Sequence, residues 1–468
     1  MNIPNIFKRG KSLTREELKK KAERPGKISL LAHAFYGGKI GVMPKCWTKE
    51  IDGLNPFSVW YTPGVAEACL AIKKDINKVY ELTNKSNRVL IISNGTRVLG
   101  LGDIGSEAAE PVMEGKALIF NLLGGIDAMS LCLKEKNPDK FIEIVKALTP
   151  SVGGINLEDI RQPDCFYILK KLSEELEIPV WHDDEQGTSA INLAAIINAL
   201  KIVDKKIEDV RIILIGMGAA NIALLRILIP YGARPENLIL LDSRGILHKD
   251  RPDLEGMGKA GYEEKVKYAL MTDPAKLIGR DNLGGGIEAA LVGADVVASY
   301  SISRENSINP EWVKKMAPNG IFIAGENPVP RIWPEDLYKA GVKIVLTGRT
   351  DFPNQCNNSL IFPAVFRGTL DVMASKIIIE MTVEAAKAVA EYQQNRGLDE
   401  FHILPTMDDL DVYVEEAVRV GLKAVEQGIA RKILQEDELR AKAESAINRT
   451  QKIAEILMKK KIIKKFSK

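Results

Sequence analysis

The sequence predicts an α/β protein of two domains built on parallel sheets, the second of them doubly wound, with C-terminal helices returning to the first. Three observations carry this expectation. A chain of 468 residues exceeds what one hydrophobic core usually covers. Apolar runs of strand length alternate with helical stretches through the first half. After residue 370 the text reads almost wholly helical.

Residues 85–125 read as the strand RVLIIS, the glycine-rich turn NGTRVLGLGDIG and the helix SEAAEPVMEGKALIFNLL. Residues 141–200 give a helix, a strand ending in GGINLEDI, another helix, the strand IPVW and the helix TSAINLAAIINALKIV. A helix between strands makes the neighbours parallel, because only such a crossover returns the chain to start the next strand in the same direction. In 210–242, VRIILIG is a continuous apolar run suited to a strand buried on both faces; IALLRILIPYG follows as an apolar helix and LILLD as the next strand. KIIIEMTVEAAKAVAEY and VYVEEAVRVGLKAVEQGIARKI are long helices, and from about 432 one charged helix runs into a basic tail. No internal repeat or low-complexity linker interrupts the pattern.

Hydrophobic content of 46% and charged content of 27% belong to a folded, soluble chain. A net charge of +3 and only 6% aromatic residues give no basic stacking surface for nucleic acid. Charge collects at the ends, with nine Lys or Arg against three Glu in residues 1–27 and six Lys in the last ten, and reads as solvated tails. Cys46, Cys69, Cys132, Cys165 and Cys356 form no CxxC pair, which argues against a zinc ribbon, a redox dithiol or a disulfide framework and fits a reducing cytoplasm. No apolar run reaches the length of a membrane span, and the first residues lack the apolar core of a secretory signal.

Two glycine motifs compete for a dinucleotide. GLGDIG, with Gly100, Gly102 and Gly105, matches G-x-G-x-x-G letter for letter, whereas GMGAAN has Gly216 and Gly218 but Asn221 in the third place. The chemistry needs a strand before the turn, a helix after it and an acid at the end of the next strand to bind the ribose hydroxyls. Only the second motif has all three, because Asp242 closes LILLD 21 residues beyond Asn221. Gly216 permits the tight turn, and Gly218 lets a pyrophosphate approach the helix N-terminus. Gly216, Gly218, Ala219, Ala220, Asn221, Asp242 and Arg244 are therefore the expected cofactor-binding set of a Rossmann-type domain. Asp242 favours NAD, while Arg244 two residues on offers a guanidinium to the 2′-phosphate of NADP.

Acids gather at two further strand ends: Glu158 and Asp159 in GGINLEDI, and Asp183 and Asp184 in WHDDEQGTSA. Parallel strands deliver their C-terminal ends to a common crevice, and clustered carboxylates with open positions suit Mg²⁺ or Mn²⁺.

With these residues in view the chain resembles the malic enzymes. VWYTPGVAEACLAI, SNGTRVLGLGDIG, PVMEGKALIF, GGINLEDI, VWHDDEQGTSA, GRTDFPNQCNNSLIFPAVFRGTLD and ILPT are similar to that family's blocks, in the same order, over roughly residues 25–430. The resemblance implies oxidation of L-malate by NAD or NADP, decarboxylation to pyruvate and CO₂, and decarboxylation of oxaloacetate itself. It implies Glu158, Asp159 and Asp184 as ligands of the divalent metal. It also implies Lys116 as the general base, with its pKa lowered by burial or cationic neighbours, and Asp183 as the group that holds it. By the same likeness Tyr61 protonates the enolate carbon, Arg97 pairs with a malate carboxylate, and Asn327 and Asn358 contact substrate and nicotinamide. His182 is expected to be structural.

The implied architecture is a catalytic domain over 1–188, the dinucleotide domain over 189–359 and a helical return over 360–468, assembled as a homodimer or higher homo-oligomer in the cytoplasm. Tyr61 is a candidate for donation across the subunit interface. Glu326, Val329, Ser359 and Asn221 depart from the family's usual residues. A malolactic-type enzyme, or a non-catalytic binding protein on the same scaffold, are the alternatives.

Overall fold

The computed structural model describes residues 15–99, 101–302, 304–327 and 329–466, with side chains from residue 25 onward. The first fourteen residues, which carry part of the basic run, and Gly100 of the first glycine motif lie outside the described residues.

Four strands form the first sheet: β1 (Arg88–Ser93), β2 (Asp127–Cys132), β3 (Gly154–Leu157) and β4 (Val180–His182), in the order β2-β1-β3-β4 and all parallel. After β1 the chain crosses to β2 on one side, through the helix Ser106–Gly124, and then to β3 on the other. The order therefore reverses between β1 and β3, and such a switch point opens a crevice beyond the strands' carboxyl ends. Residues of NGTR and Glu158-Asp159 emerge there.

The helix Gln186–Ile202 leads into the second sheet, made of β5 (Ile212–Ile215), β6 (Leu238–Asp242), β7 (Gly245–Ile246), β8 (Val296–Ser299), β9 (Ile321–Ala324) and β10 (Ile344–Thr347). Its order is β10-β9-β8-β5-β6-β7, parallel except for the short β7 at the edge. Here the reversal lies between β5 and β8, beside Gly216 and Tyr300. Gly216 has φ +91°, and a Cβ there would stand 2.3 Å from the Tyr300 carbonyl, so the turn requires glycine.

The largest core runs unbroken from Val89 and Ile91 of the first sheet, through Ile191, Leu193 and Ile196, to Ile212 and Leu214 of the second. Helices Phe362–Asp371, Ile379–Arg396, Leu410–Glu426 and Glu436–Lys459 join it. The last of these does return to the first domain, where Gln451 Nε2 donates to the Leu122 carbonyl at 2.7 Å. No helix among the described residues is long and apolar enough to cross a membrane.

Candidate active site

The crevice at the first switch point collects the acids. Glu158 and Asp159 follow β3 directly, and Asp183 and Asp184 follow β4, leading into the helix Gln186–Ile202. Oxygen atoms of Glu158, Asp159 and Asp184 all lie within 4.8 Å of one another. Asp159 takes a left-handed φ of 52°, tolerable for aspartate, and its backbone N–H donates to Asp184 Oδ2 at 2.9 Å. Its Oδ1 accepts the Leu99 N–H at 3.2 Å and its carbonyl accepts the Arg97 N–H at 3.0 Å. The turn that leads into the first glycine motif thus supports the acid cluster. Arg97 itself is exposed beside Asp159 and lowers that carboxyl electrostatically.

Lys116 reaches the cluster from the middle of the helix Ser106–Gly124. Its Nζ donates to Asp183 Oδ2 and lies 2.7 Å from Glu158 Oε1, with the Phe362 ring centroid 4.6 Å below. Asp183 is fully buried, and its Oδ1 accepts Trp181 Nε1 at 3.0 Å. Gly187 is what lets the carboxylate lie so close to the helix: a Cβ on it would stand 2.0 Å from Asp183 Oδ1 and 3.2 Å from the Cβ of Asn358. Asn358 is thereby brought to the same turn. Asn327, just past β9, lies against Gly348 at the edge of the second sheet.

Burial pushes Glu158 well above the usual carboxylate range, and pushes Asp159 up to about 7 with Asp184 adding to it. Burial of Lys116 works to lower its pKa, but Asp183 and Glu158 outweigh it and hold the ammonium above its ordinary value. This corrects the expectation of a lysine lowered in place: the neighbours are acids, and they stabilise the charge. Four carboxylates thus face Lys116 and Arg97. Asp159 Oδ2 is buried without a hydrogen-bond partner among the described residues. An all-carboxylate donor set with an orphaned buried oxygen fits Mg²⁺ or Mn²⁺.

Tyr61 is 71% exposed on this chain's surface, and Trp47, Phe57 and Trp60 are exposed as well. His182 is wholly buried behind the acids, as a structural residue would be.

In the second domain a cavity of about 350 Å³ is lined by Gly216, Asp242, Ser301 and Arg331. Asn221, buried at the start of the helix Ala219–Tyr231, donates its amide to the carbonyls of Ile215 at 3.1 Å and Gly216 at 2.9 Å, with Ala298 at 3.4 Å. It ties the helix to the ends of β5 and β8 by hydrogen bonds, in the place where a small residue would do so by packing. Ala219 and Ala220 form the first turn of that helix, and Gly218 faces Gln162 of the first domain. Asp242 Oδ1 accepts the Arg244 N–H and Arg251 Nη1, both at 2.9 Å, while the Arg244 guanidinium turns to Asp253 at 3.0 Å. Sequence reasoning missed Arg251, Trp181, Phe362 and Gly187. Of these only Gly187, in a helix start beside paired acids, left a readable sign.

Known proteins resemble this chain in sequence and fold. The profile of the malic enzyme N-terminal domain matches residues 44–137 and 133–173, and that of the malic enzyme NAD-binding domain matches 185–280 and 341–427. An NAD-dependent malic enzyme of Geobacillus stearothermophilus is 46% identical over 398 residues, 85% of this chain and 78% of that one. A bifunctional malic/malolactic enzyme of Bacillus subtilis is 40% identical over 88% of this chain and 96% of its own length. The crystal structure of Entamoeba histolytica malic enzyme superposes with a TM-score of 0.92 at 38% identity, covering 99% of this chain and 95% of that one.

Proposed function

The chain belongs to the malic enzyme family, and from that premise we propose how its residues carry out the NAD(P)-linked oxidative decarboxylation of malate to pyruvate and CO₂. The observation that carries the reading is the convergence of Lys116, Asp183 and the Glu158-Asp159-Asp184 cluster at one switch point. Glu158, Asp159 and Asp184 would hold the divalent cation, which supplies Lewis-acid stabilisation of the negative oxygen on the substrate. Gly216, Gly218, Ala219, Ala220 and Asn221 would seat the pyrophosphate and Asp242 the ribose of NAD(P), the hydride acceptor.

Lys116 and Asp183 hold and move the proton. Nζ is charged while both Asp183 and Glu158 face it, so it can take the malate hydroxyl proton only after its own has passed to Asp183, a transfer made easier when Glu158 turns away from it. Arg97 offers a malate carboxylate a planar, two-point donor at the rim. Asn327 and Asn358 orient substrate and nicotinamide from the second domain's side of the crevice. Tyr61 supplies the proton to the enolate carbon of a neighbouring subunit's site, in a homodimer formed through the exposed apolar surface around Trp47, Phe57 and Trp60. The free cysteines fit a cytoplasmic setting.

Asp242, held by Arg251, with Arg244 drawn off to Asp253, supports a preference for NAD. The bifunctional relative favours a second reading in which malate also goes to lactate without net release of reduced cofactor. Purified protein with L-malate, Mn²⁺ and NAD or NADP in turn distinguishes the two readings. Reduced cofactor and pyruvate in equal amounts, formed faster with NAD, are expected; malate loss to lactate without net reduction would replace the first reading by the second. Oxaloacetate supplied alone should be decarboxylated at the same site.

A further inference from the structure

Directly behind the acids lies a cluster that the reaction does not use. Cys165, in the first turn of the helix Asp164–Glu175, meets His182 at the end of β4 and Glu185 at the start of the helix Gln186–Ile202. All three are buried, and one ligand atom from each lies within 4.8 Å of the others. Neither ring nitrogen of His182 has a hydrogen-bond partner among the described residues, and neither has Glu185 Oε1, which stands 4.0 Å from His182 Nδ1. The other oxygen of Glu185 accepts Arg226 Nη1 at 2.6 Å, so this carboxylate is oriented with one oxygen committed and one turned inward. An imidazole with two idle nitrogens, an idle carboxylate oxygen and a thiol, close to one another inside the protein, are donors that one bound metal would satisfy together.

We propose that Cys165, His182 and Glu185 form a second, structural metal site selective for Zn²⁺. The donor set decides the metal, since a thiolate and an imidazole suit zinc, whereas Mg²⁺ and Mn²⁺ prefer the all-oxygen cluster of Glu158, Asp159 and Asp184. Ligand atoms around tetrahedral zinc stand about 3.5 Å apart, so His182 Nδ1 and Glu185 Oε1, 4.0 Å apart here, would close by about half an ångström. The thiol proton leaves on binding, and the thiolate and carboxylate together balance the cation. His182 and Glu185 bracket Asp183 and Asp184 in the chain. A metal there pins both ends of the turn that presents those acids, whatever reaction they serve.

The test is the metal content of the full-length protein, prepared from zinc-supplemented cells and dialysed against Mg²⁺ and a chelator to strip weakly held ions. About one zinc per chain should remain, with one sulfur in its X-ray absorption shell at about 2.3 Å. Cys165→Ser and His182→Asn should each lose that zinc, while Cys356→Ser, another buried thiol outside the cluster, should keep it. No retained zinc in the parent protein, or a shell of oxygen and nitrogen alone, would overturn the proposal. The parent's spectrum decides the matter even where a variant fails to fold.

Discussion

Replacing Gly187 by alanine separates two roles that a glycine can have in a helix. If it were only a helical residue, Gly187→Ala would stabilise the protein by up to about 1 kcal/mol, because alanine restricts the unfolded chain and favours the helix. The structure gives it a different role. The new Cβ would stand 2.0 Å from Asp183 Oδ1 and 2.9 Å from its Cγ, against the more than 3.0 Å that real contacts keep. Asp183 must therefore retreat by about 1 Å, and the Asn358 Cβ at 3.2 Å closes one direction of escape.

Retreat breaks the Trp181 hydrogen bond, at about 1 kcal/mol, and the charge-assisted bond to Lys116, at about 1.5–3 kcal/mol. Set against the helix gain, the net loss is about 2 kcal/mol, read from urea unfolding. Because Asp183 governs the charge on Lys116, kcat should fall about a hundredfold, as a 1 Å misplacement of a catalytic group does. Reduced cofactor formed at saturating malate and Mn²⁺ measures it. A variant that is more stable than the parent, with kcat within about threefold, would refute the assigned contact between glycine and acid.

The other expectations rest on separate observations. Asn221→Ala removes two good hydrogen bonds to the C-terminal end of β5, where the Ile215 carbonyl keeps the Tyr300 N–H and the Gly216 carbonyl loses its side-chain donor, so it should cost about 2 kcal/mol in urea unfolding and weaken NADH binding measured by fluorescence. Asp242→Ser frees Nη1 of Arg251, whose other donors stay on Asp253, for a 2′-phosphate and should shift the ratio of kcat/KM for NADP over NAD upward by about tenfold or more. Burial without a partner among the described residues pushes the Glu416 carboxyl well above its usual range. The folded state then binds the extra proton, so stability falls as pH rises from the unfolded carboxyl value of about 4.3. Glu416→Gln should therefore exceed the parent at neutral pH by more than about 1 kcal/mol, and the gap should close in acid, as urea unfolding across that range would reveal. Mixed dimers of Tyr61→Phe and Lys116→Ala chains should regain up to about half the parental activity if the tyrosine serves the neighbouring subunit, and none if each chain serves itself.

Much of the architecture was legible because apolar runs bounded by turn residues announce buried parallel strands. RVLIIS, IPVW, VRIILI and LILLD all fall on strands of the two sheets. GGINLEDI likewise covers β3, whereas β2, β7, β8, β9 and β10 are two to six residues long, and an apolar stretch such as VVAS or IFIA gives no period to read. The acids were visible as types at strand ends. What the sequence could not carry was the sign of the shift on Lys116, which depends on Asp183 and Glu158, 67 and 42 residues away, arriving at one nitrogen. Arg251 escaped notice for a related reason: nothing in the eight intervening residues says that the chain doubles back to place it on Asp242.

The two sites are joined by one rigid element. The helix Gln186–Ile202 begins directly behind Asp183 and Asp184 and runs about 25 Å toward β5, the strand that ends at Gly216. Midway along it the buried Asn192 accepts the Tyr300 hydroxyl at 2.8 Å, and the carbonyl of that tyrosine is the one crowding Gly216. Movement of the acid turn along the helix axis would therefore strain the Asn192 bond and press on the dinucleotide loop. The core is continuous from Ile91 through Ile191 and Ile196 to Ile212, so this helix cannot slide without repacking both domains. The consequence is that the spacing between the lysine-acid group and the Gly216 turn is set by this helix.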